Sequence, residues 1–207
     1  MSTIEASWKQ IERWLETHAE ELLDELEPPA PPSRIERAEE ALGIVFPLDF
    51  RTSLLIHDGQ RPRSPSIFDT HYCLLPLKES VETRRILLDT VATLRSGGAL
   101  MEMKAPPGVQ SVWFDEKWIP MAEAGIRDQL CLDLAPDSGG RIGQVVRYVG
   151  DEQRRYLIAN SFEEWLDAFA TKLGAGQIRA RRDRDGELIG LRDISKSPGD
   201  AADEDDA

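Results

Sequence analysis

The chain has 207 residues, 41% of them hydrophobic and 30% charged, with a formal net charge of −13. That apolar content suffices for a packed core, while no apolar run approaches the twenty or so residues that a membrane helix needs. The acidity excludes a phosphate-binding nucleic-acid surface and favours basic protein partners; the polar start MSTIEASWKQIERWLE lacks a secretory leader's basic end and apolar middle, so a cytoplasmic protein is expected.

Ser2 to Leu26 is predicted as the first helix. Trp8, Ile11, Leu15 and Leu22 form its apolar stripe, and Ser2 with Glu5 matches a capping box. Pro28-Pro29-Ala30-Pro31-Pro32 stops it and reads as a stiff extended linker. A helical hairpin follows. Ser33 and Glu36 match a second capping box, Ile35, Ala38 and Leu42 share a face, and Gly43 stands where a left-handed cap is wanted. Pro47 starts the next helix, Phe50 and Leu54 continue its buried face, and Gly59 is expected to cap it.

Residues 60–70 read as loop, Tyr72 to Leu77 as a strand, and Ser80 to Arg95 as a helix with Leu87, Val91 and Leu94 on one side. Val109 to Phe114 and Trp118 to Met121 read as strands around the turn Asp115-Glu116-Lys117. Leu130, Leu132 and Leu134 alternate with Cys131 and Asp133, the pattern of a half-buried strand. Further strands are predicted over Gln144–Val149 and Arg154–Ala159. Ser161 with Glu164 caps a last helix that buries Phe162, Trp165, Leu166 and Phe169, and Gly174 ends it. The order predicts an α+β fold: helices packed on a mostly antiparallel sheet of about five to six strands.

Past Gly174 the composition changes. Residues 175–199 carry six Arg/Lys and four Asp/Glu around the turn Asp185-Gly186, which suggests a C-terminal extension with a β-hairpin. Residues 200–207, DAADEDDA, hold five acids and no base. They read as a disordered acidic tail after a domain spanning 1–174. Folding back on Arg179, Arg181 and Arg182 is the alternative for the tail.

No catalytic constellation is read from the chain, and no cofactor or metal is expected. There is no G-x-S-x-G elbow. His71 and Cys73 share a strand face but lack further ligands, and Cys73 and Cys131 read as free thiols. The glycine-rich Gly139 to Gly143 run opens no helix, so it does not cradle phosphate. Asp128, Asp133 and Asp137 lack the spacing of a calcium loop and suit bonds to local backbone N–H groups. What remains is a surface. Trp113, Phe114 and Trp118 flank Asp115 and Glu116, and aromatics beside acids suit an anchor-and-rim interface for a basic partner. Burial of the tryptophans in the core is the competing reading.

The run from Ile35 to Gly59, I-x-x-A-E-x-x-L-G-x-x-F-P-x-D-F-R-x-x-L-x-x-H-D-G, resembles the opening motif of the SUKH superfamily. Trp118-Ile119-Pro120, Asp128 to Leu134, Gly143-Gln144-Val145 and Ser161 to Leu166 resemble its later segments in the right order. The resemblance implies the same α+β architecture. It implies a non-catalytic protein, foremost an immunity protein that neutralises a cognate toxin with a basic, nucleic-acid-acting cleft. The alternatives are a regulatory scaffold of the fungal cell-wall type and, third, a small-ligand binder or enzyme. Carried over onto this chain, Trp118, Pro120, Asp128, Asp133, Gly143 and Gln144 match the pattern, with Gly43, Pro47 and Gly59 serving the fold. The approach to Asp128, AEAGIRD, departs from a glycine-rich turn and weakens any shared role of that loop. Arg and Ala usage points to a GC-rich bacterial genome.

Overall fold

A computed structural model describes residues 3–68, 72–125 and 127–195. Ser2, His71 and residues 196–207 lie outside the described residues, and with them the first capping box, the His71–Cys73 pair and the acidic tail. The architecture is α+β, with a five-stranded antiparallel sheet in the order β1-β2-β3-β4-β5. Its strands are β1 (Cys73–Leu74), β2 (Trp118–Glu123), β3 (Asp128–Asp133), β4 (Gln144–Val149) and β5 (Arg155–Ala159).

Helices cover both faces. α1 (Thr3–His18), α4 (Leu48–Leu54) and α6 (Phe162–Gly174) lie on the first, and α5 (Leu77–Ser96) lies on the second. On the first face Ile119, Leu130, Leu132 and Val145 pack with Ile11, Leu15, Phe162 and Leu166. Trp8 anchors this core. Its ring meets His57 and Phe68 edge-on, and its indole N–H donates to Ser53 Oγ at 2.9 Å. On the second face Trp118, Cys131, Val146 and Tyr148 pack with Leu87, Val91, Val109 and Phe114. The strand read as half-buried is therefore buried on both of its sides: Leu130, Cys131, Leu132 and Asp133 are each 0–2% exposed, and only its ends, Asp128 and Leu134, are partly open. Two covered faces leave no solvent side for alternation to mark.

Other boundaries move for local reasons. The first helix breaks after His18, where Ala19 takes φ −160° and turns inward, and a single turn α2 (Glu20–Leu23) follows. The Ser33 capping box does not form. α3 (Pro32–Leu42) starts on Pro32 with Pro31 before it, because proline fills the first helical position without wasting an N–H. The proline run is not a free spacer either: Ala30 is buried and donates its N–H to Leu54 O at 2.8 Å. Gly43 is left-handed (φ 63°) as read.

Gly59 does not cap α4, which ends at Leu54 with Leu55 beyond it. It has φ 78°, and a Cβ there would lie 2.5 Å from the Leu75 carbonyl carbon. The glycine admits a crossing of two backbones. That crossing shortens the predicted 72–77 strand to Cys73–Leu74, and α5 begins at Leu77 rather than Ser80. Its first N–H is capped from a distance by Asp58 Oδ1 at 2.8 Å, and Asp58 also pairs with Arg34 at 2.7 Å.

Val109–Phe114 forms no strand. Residues 97–117 cross the second face as irregular chain, with one backbone bridge to the sheet edge, Lys104 to Arg154. β6 (Ile178–Arg182) and β7 (Leu188–Asp193) make a two-stranded antiparallel hairpin. Ile178, Leu188 and Leu191 are buried in the first core, and Lys172 of α6 pairs with Asp193 at 2.7 Å.

Candidate protein-binding groove

The irregular segment and α5 enclose a groove of about 500 Å³ on the second face. Leu88, Val91 and Phe114 line its apolar wall, Leu100 and Met101 (36% and 43% exposed) its lip, and Trp113, Asp115 and Glu116 its far rim. Trp113 is half-buried, edge-on to Tyr148 at 5.1 Å, so its ring is anchored on one side and open on the other. Phe114 is buried against Trp118 and Tyr148.

Side chains hold the rim by bonding backbone. Arg155 is fully buried and lies over the Tyr148 ring at 4.7 Å. Its Nη1 donates to the carbonyls of Val149, Glu152 and Arg154, and its Nη2 donates to Trp113 O at 2.7 Å. No carboxylate pairs with it among the described residues, and burial lowers its pKa against the nearby Tyr148. Burial pushes the Tyr148 hydroxyl up. Arg84, on α5, donates twice to Glu116 O, which fixes the acidic turn to the helix. Within that turn Asp115 Oδ1 accepts from Lys117 N at 2.7 Å.

A second polar knot closes the end of the groove's segment. Gln144 Nε2 donates to Gly108 O at 2.8 Å and to Asp133 Oδ2 at 2.9 Å, and Gln144 Oε1 accepts from Arg141 N. Asp133 Oδ1 accepts from Ala135 N at 3.0 Å. Burial raises the Asp133 pKa, opposed by the Gln144 and Ala135 bonds. Gly108 and Gly140 touch backbone to backbone: a Cβ on Gly108 would sit 2.8 Å from Gly140 Cα. The glycine-rich run serves this contact.

The sequence-selected residues thus separate. Trp113, Asp115 and Glu116 meet on the rim and are accessible. Trp118 and Asp133 are both 0% exposed, so neither presents a surface. Asp128 lies elsewhere, on β3, clasped by Arg147 (Nη2–Oδ2 2.6 Å) and by the Tyr72 hydroxyl at 2.7 Å. Pro120 is buried and its carbonyl accepts from Ser80 Oγ at 2.5 Å; Gly143 packs beside Pro47. Sequence reasoning missed Arg155, Arg84 and Gln110, whose Nε2 bonds Ala135 O at 2.7 Å. Their targets are carbonyls, which leave no residue pattern.

Asp128, Asp133 and Asp137 do not converge, and Asp137 Oδ1 bonds its neighbour's Ser138 N–H. Among the described residues no group of three His, Cys, Asp or Glu side chains is placed to hold a metal ion. His57 bridges Glu12 Oε1 at 2.8 Å and Glu27 O at 3.2 Å, a packing role. Cys73 and Cys131 are free thiols, and burial pushes Cys73 up to about 11, with the Glu123 charge adding to it. No described helix is long and apolar enough to cross a membrane.

Comparison with known proteins gives one consistent answer. The chain is similar to the fission yeast "Cell wall biosynthesis/cell cycle regulator smi1" (Schizosaccharomyces pombe), with 31% identity over 84% of this chain and 37% of the relative. It is similar to a Neurospora crassa "Glucan synthesis regulatory protein" (26%; 84% and 39%) and to the Saccharomyces cerevisiae "Cell wall assembly regulator SMI1" (27%; 88% and 44%). The chain spans about two fifths of the length of these fungal relatives. The SMI1 / KNR4 family (SUKH-1) model matches residues 29–168, from the proline run into α6, and the chain belongs to that family.

Proposed function

We propose that this chain is a non-catalytic, regulatory protein-binding domain that takes a basic segment of a partner into the groove between α5 and residues 97–117. One observation carries the reading: a half-open tryptophan, Trp113, stands beside two carboxylates, Asp115 and Glu116, on a rim fixed by buried Arg155 and by Arg84. An aromatic anchor with a charged rim concentrates binding energy in few residues. The apolar wall takes the aliphatic stem of a lysine or arginine, and the rim takes its charge.

The names of the relatives favour a regulator of the cell-wall assembly or glucan-synthesis kind over the toxin-neutralising role that heads the sequence reading. The two readings differ in partners. A toxin-neutralising protein has one dominant partner, whereas a regulatory scaffold has several of moderate affinity. Affinity capture at low and high salt, repeated with Trp113→Ser and with Asp115→Asn/Glu116→Gln, tests both site and class. The expected result is several partners, each weakened about thirtyfold by the tryptophan change, as a loss near 2 kcal/mol requires. Capture unchanged by every rim variant sinks the groove.

A further inference from the structure

The groove between α5 and residues 97–117 has ends of opposite charge. Arg84, Leu88, Val91, Ala92 and Arg95 follow one another at three- and four-residue intervals on α5, so they stand in one row along the helix. All but Arg84 line the groove. Arg84 begins the row, and there it donates to Glu116 O. That contact sets Asp115 and Glu116 beside the start of the row, and Arg95 stands at its finish. Eleven residues separate Arg84 from Arg95, about 16 Å along the helix axis.

Among the described residues that line the groove, Asp115 and Glu116 are the acids and Arg95 is the cation. Arg84 offsets one of the two acids, so the first end stays negative. The far end is positive. Arg95 is exposed there, and the carbonyls that would draw a cation to the end of a helix are already taken. Thr93 O accepts from Gly97 N at 3.0 Å, Leu94 O from Ala99 N at 2.9 Å, and Arg95 O from Gly98 N at 3.2 Å. Between the two ends lie Leu88, Val91, Leu100, Met101 and the open side of Trp113.

A helix is too wide for this space. Over such a length a helical cylinder fills more than about 1,200 Å³, against about 500 Å³ of cavity. An extended segment advances about 3.3 Å per residue and turns alternate side chains to one side. Its first, third and fifth residues face the groove over about 13 Å. The long stems of a lysine at one end and of Arg95 at the other span the remainder.

We propose that the groove takes an extended partner segment with a basic, an apolar and an acidic residue at alternate positions: the base on Asp115 and Glu116, the apolar side chain on Trp113 and Leu88, the acid on Arg95. This names the partner's chemistry for the groove read above as the binding site, and it rests on that reading. A segment basic at both ends sets a like charge against Arg95 and is rejected.

The test is fluorescence anisotropy with the full chain and three labelled peptides in about 0.1 M salt, where charges act strongly only within about 10 Å. Each peptide has lysine first, leucine third and alanine between; the fifth residue is glutamate, glutamine or lysine. The expected order of affinity is glutamate, glutamine, lysine, with about threefold to fivefold between steps, as exposed ion pairs allow. That order is the reverse of what the net charge of −13 favours by itself. Arg95→Glu is expected to reverse the order and Arg95→Gln to level it. The absence of any order in the native chain, or an order that both Arg95 variants keep, overturns the proposal. Trp113→Ser is expected to weaken all three peptides alike. Peptides that depend on Trp113 but not on their fifth residue leave the groove standing and remove its polarity. Absence of binding by all three overturns the proposal, and binding without regard to Trp113 overturns the proposal and the groove together.

Discussion

The two faces of the five-stranded sheet are built by different forces. Toward α1 and α6 the packing is apolar and periodic: Ile11, Leu15, Phe162 and Leu166 against Ile119, Leu132 and Val145. Toward α5 and residues 97–117, half the cover is irregular chain, and directional bonds hold it. Arg155 holds Trp113, Gln144 holds Gly108, Gln110 holds Ala135, and Arg84 holds Glu116. Burial is non-directional and stabilises the layers as a whole. A hydrogen bond fixes one group relative to another within a narrow range of distance and angle. The face that must present a defined rim uses the second device.

The largest effect belongs to the apolar face. Phe162→Ala is expected to cost about 3–5 kcal/mol, seen as a lower urea midpoint with all probes moving together. Arg155→Met on the other face orphans four carbonyls and is expected to cost about 2–3 kcal/mol. Its signature is local: amide exchange rises over residues 109–117 before it rises in β3. Even acceleration over both faces would erase the distinction drawn between them. Gln144→Met is a milder version, about 1–2 kcal/mol, with the exchange gain centred on Gly108 and the 134–143 turn.

Two buried acids sharpen the contrast through pH. Burial pushes the Asp193 carboxyl up, but the bonds from Lys172 and Ser195 outweigh it and hold it below its ordinary value. Its contribution is therefore present above the ordinary aspartate pKa of about 3.9 and is lost as pH falls through the lower folded value. Asp133 is raised by burial, so the folded state takes up its proton first and gains stability as pH falls through that range. Asp193→Asn is expected to flatten the acid limb of the stability curve, and Asp133→Asn to steepen it. Acid titration followed by circular dichroism checks both; limbs that move the same way contradict the assignment. Smallest of all, Glu116→Gln on the exposed rim should change stability by less than about 0.5 kcal/mol while weakening partner capture.

The apolar face was legible because its forces leave a period. The stripe of Trp8, Ile11 and Leu15, the cap at Ser161 accepting from Glu164 N, and the β3–β4 turn all stand where the pattern puts them. The second face was legible only in composition. Trp113, Asp115 and Glu116 could be picked as an aromatic–acid cluster, but Trp118 and Asp133, chosen with them, are interior. Residues 109–114 carry a strand's composition and no strand's ladder; the Trp113 carbonyl is met by Arg155, and the Gly108 carbonyl just before the segment by Gln144, both from other parts of the chain. Nothing near residue 110 foretells a bond to residue 155. Asp58 capping α5 from outside the helix is another such case.

The way the rim is fastened bears on where this chain can accept added residues. Residues 97–102 are exposed, and the space around Gly98 is open. The groove's position is set further on, by Arg84, Arg155 and the Gly108–Gly140 contact. An insertion at residues 97–102 would hang outward and leave the rim in register. The same number of residues added between Gly108 and Trp113 would part the polar side chains from their carbonyls. The loop thus divides into a segment that can take added residues and a segment of fixed length.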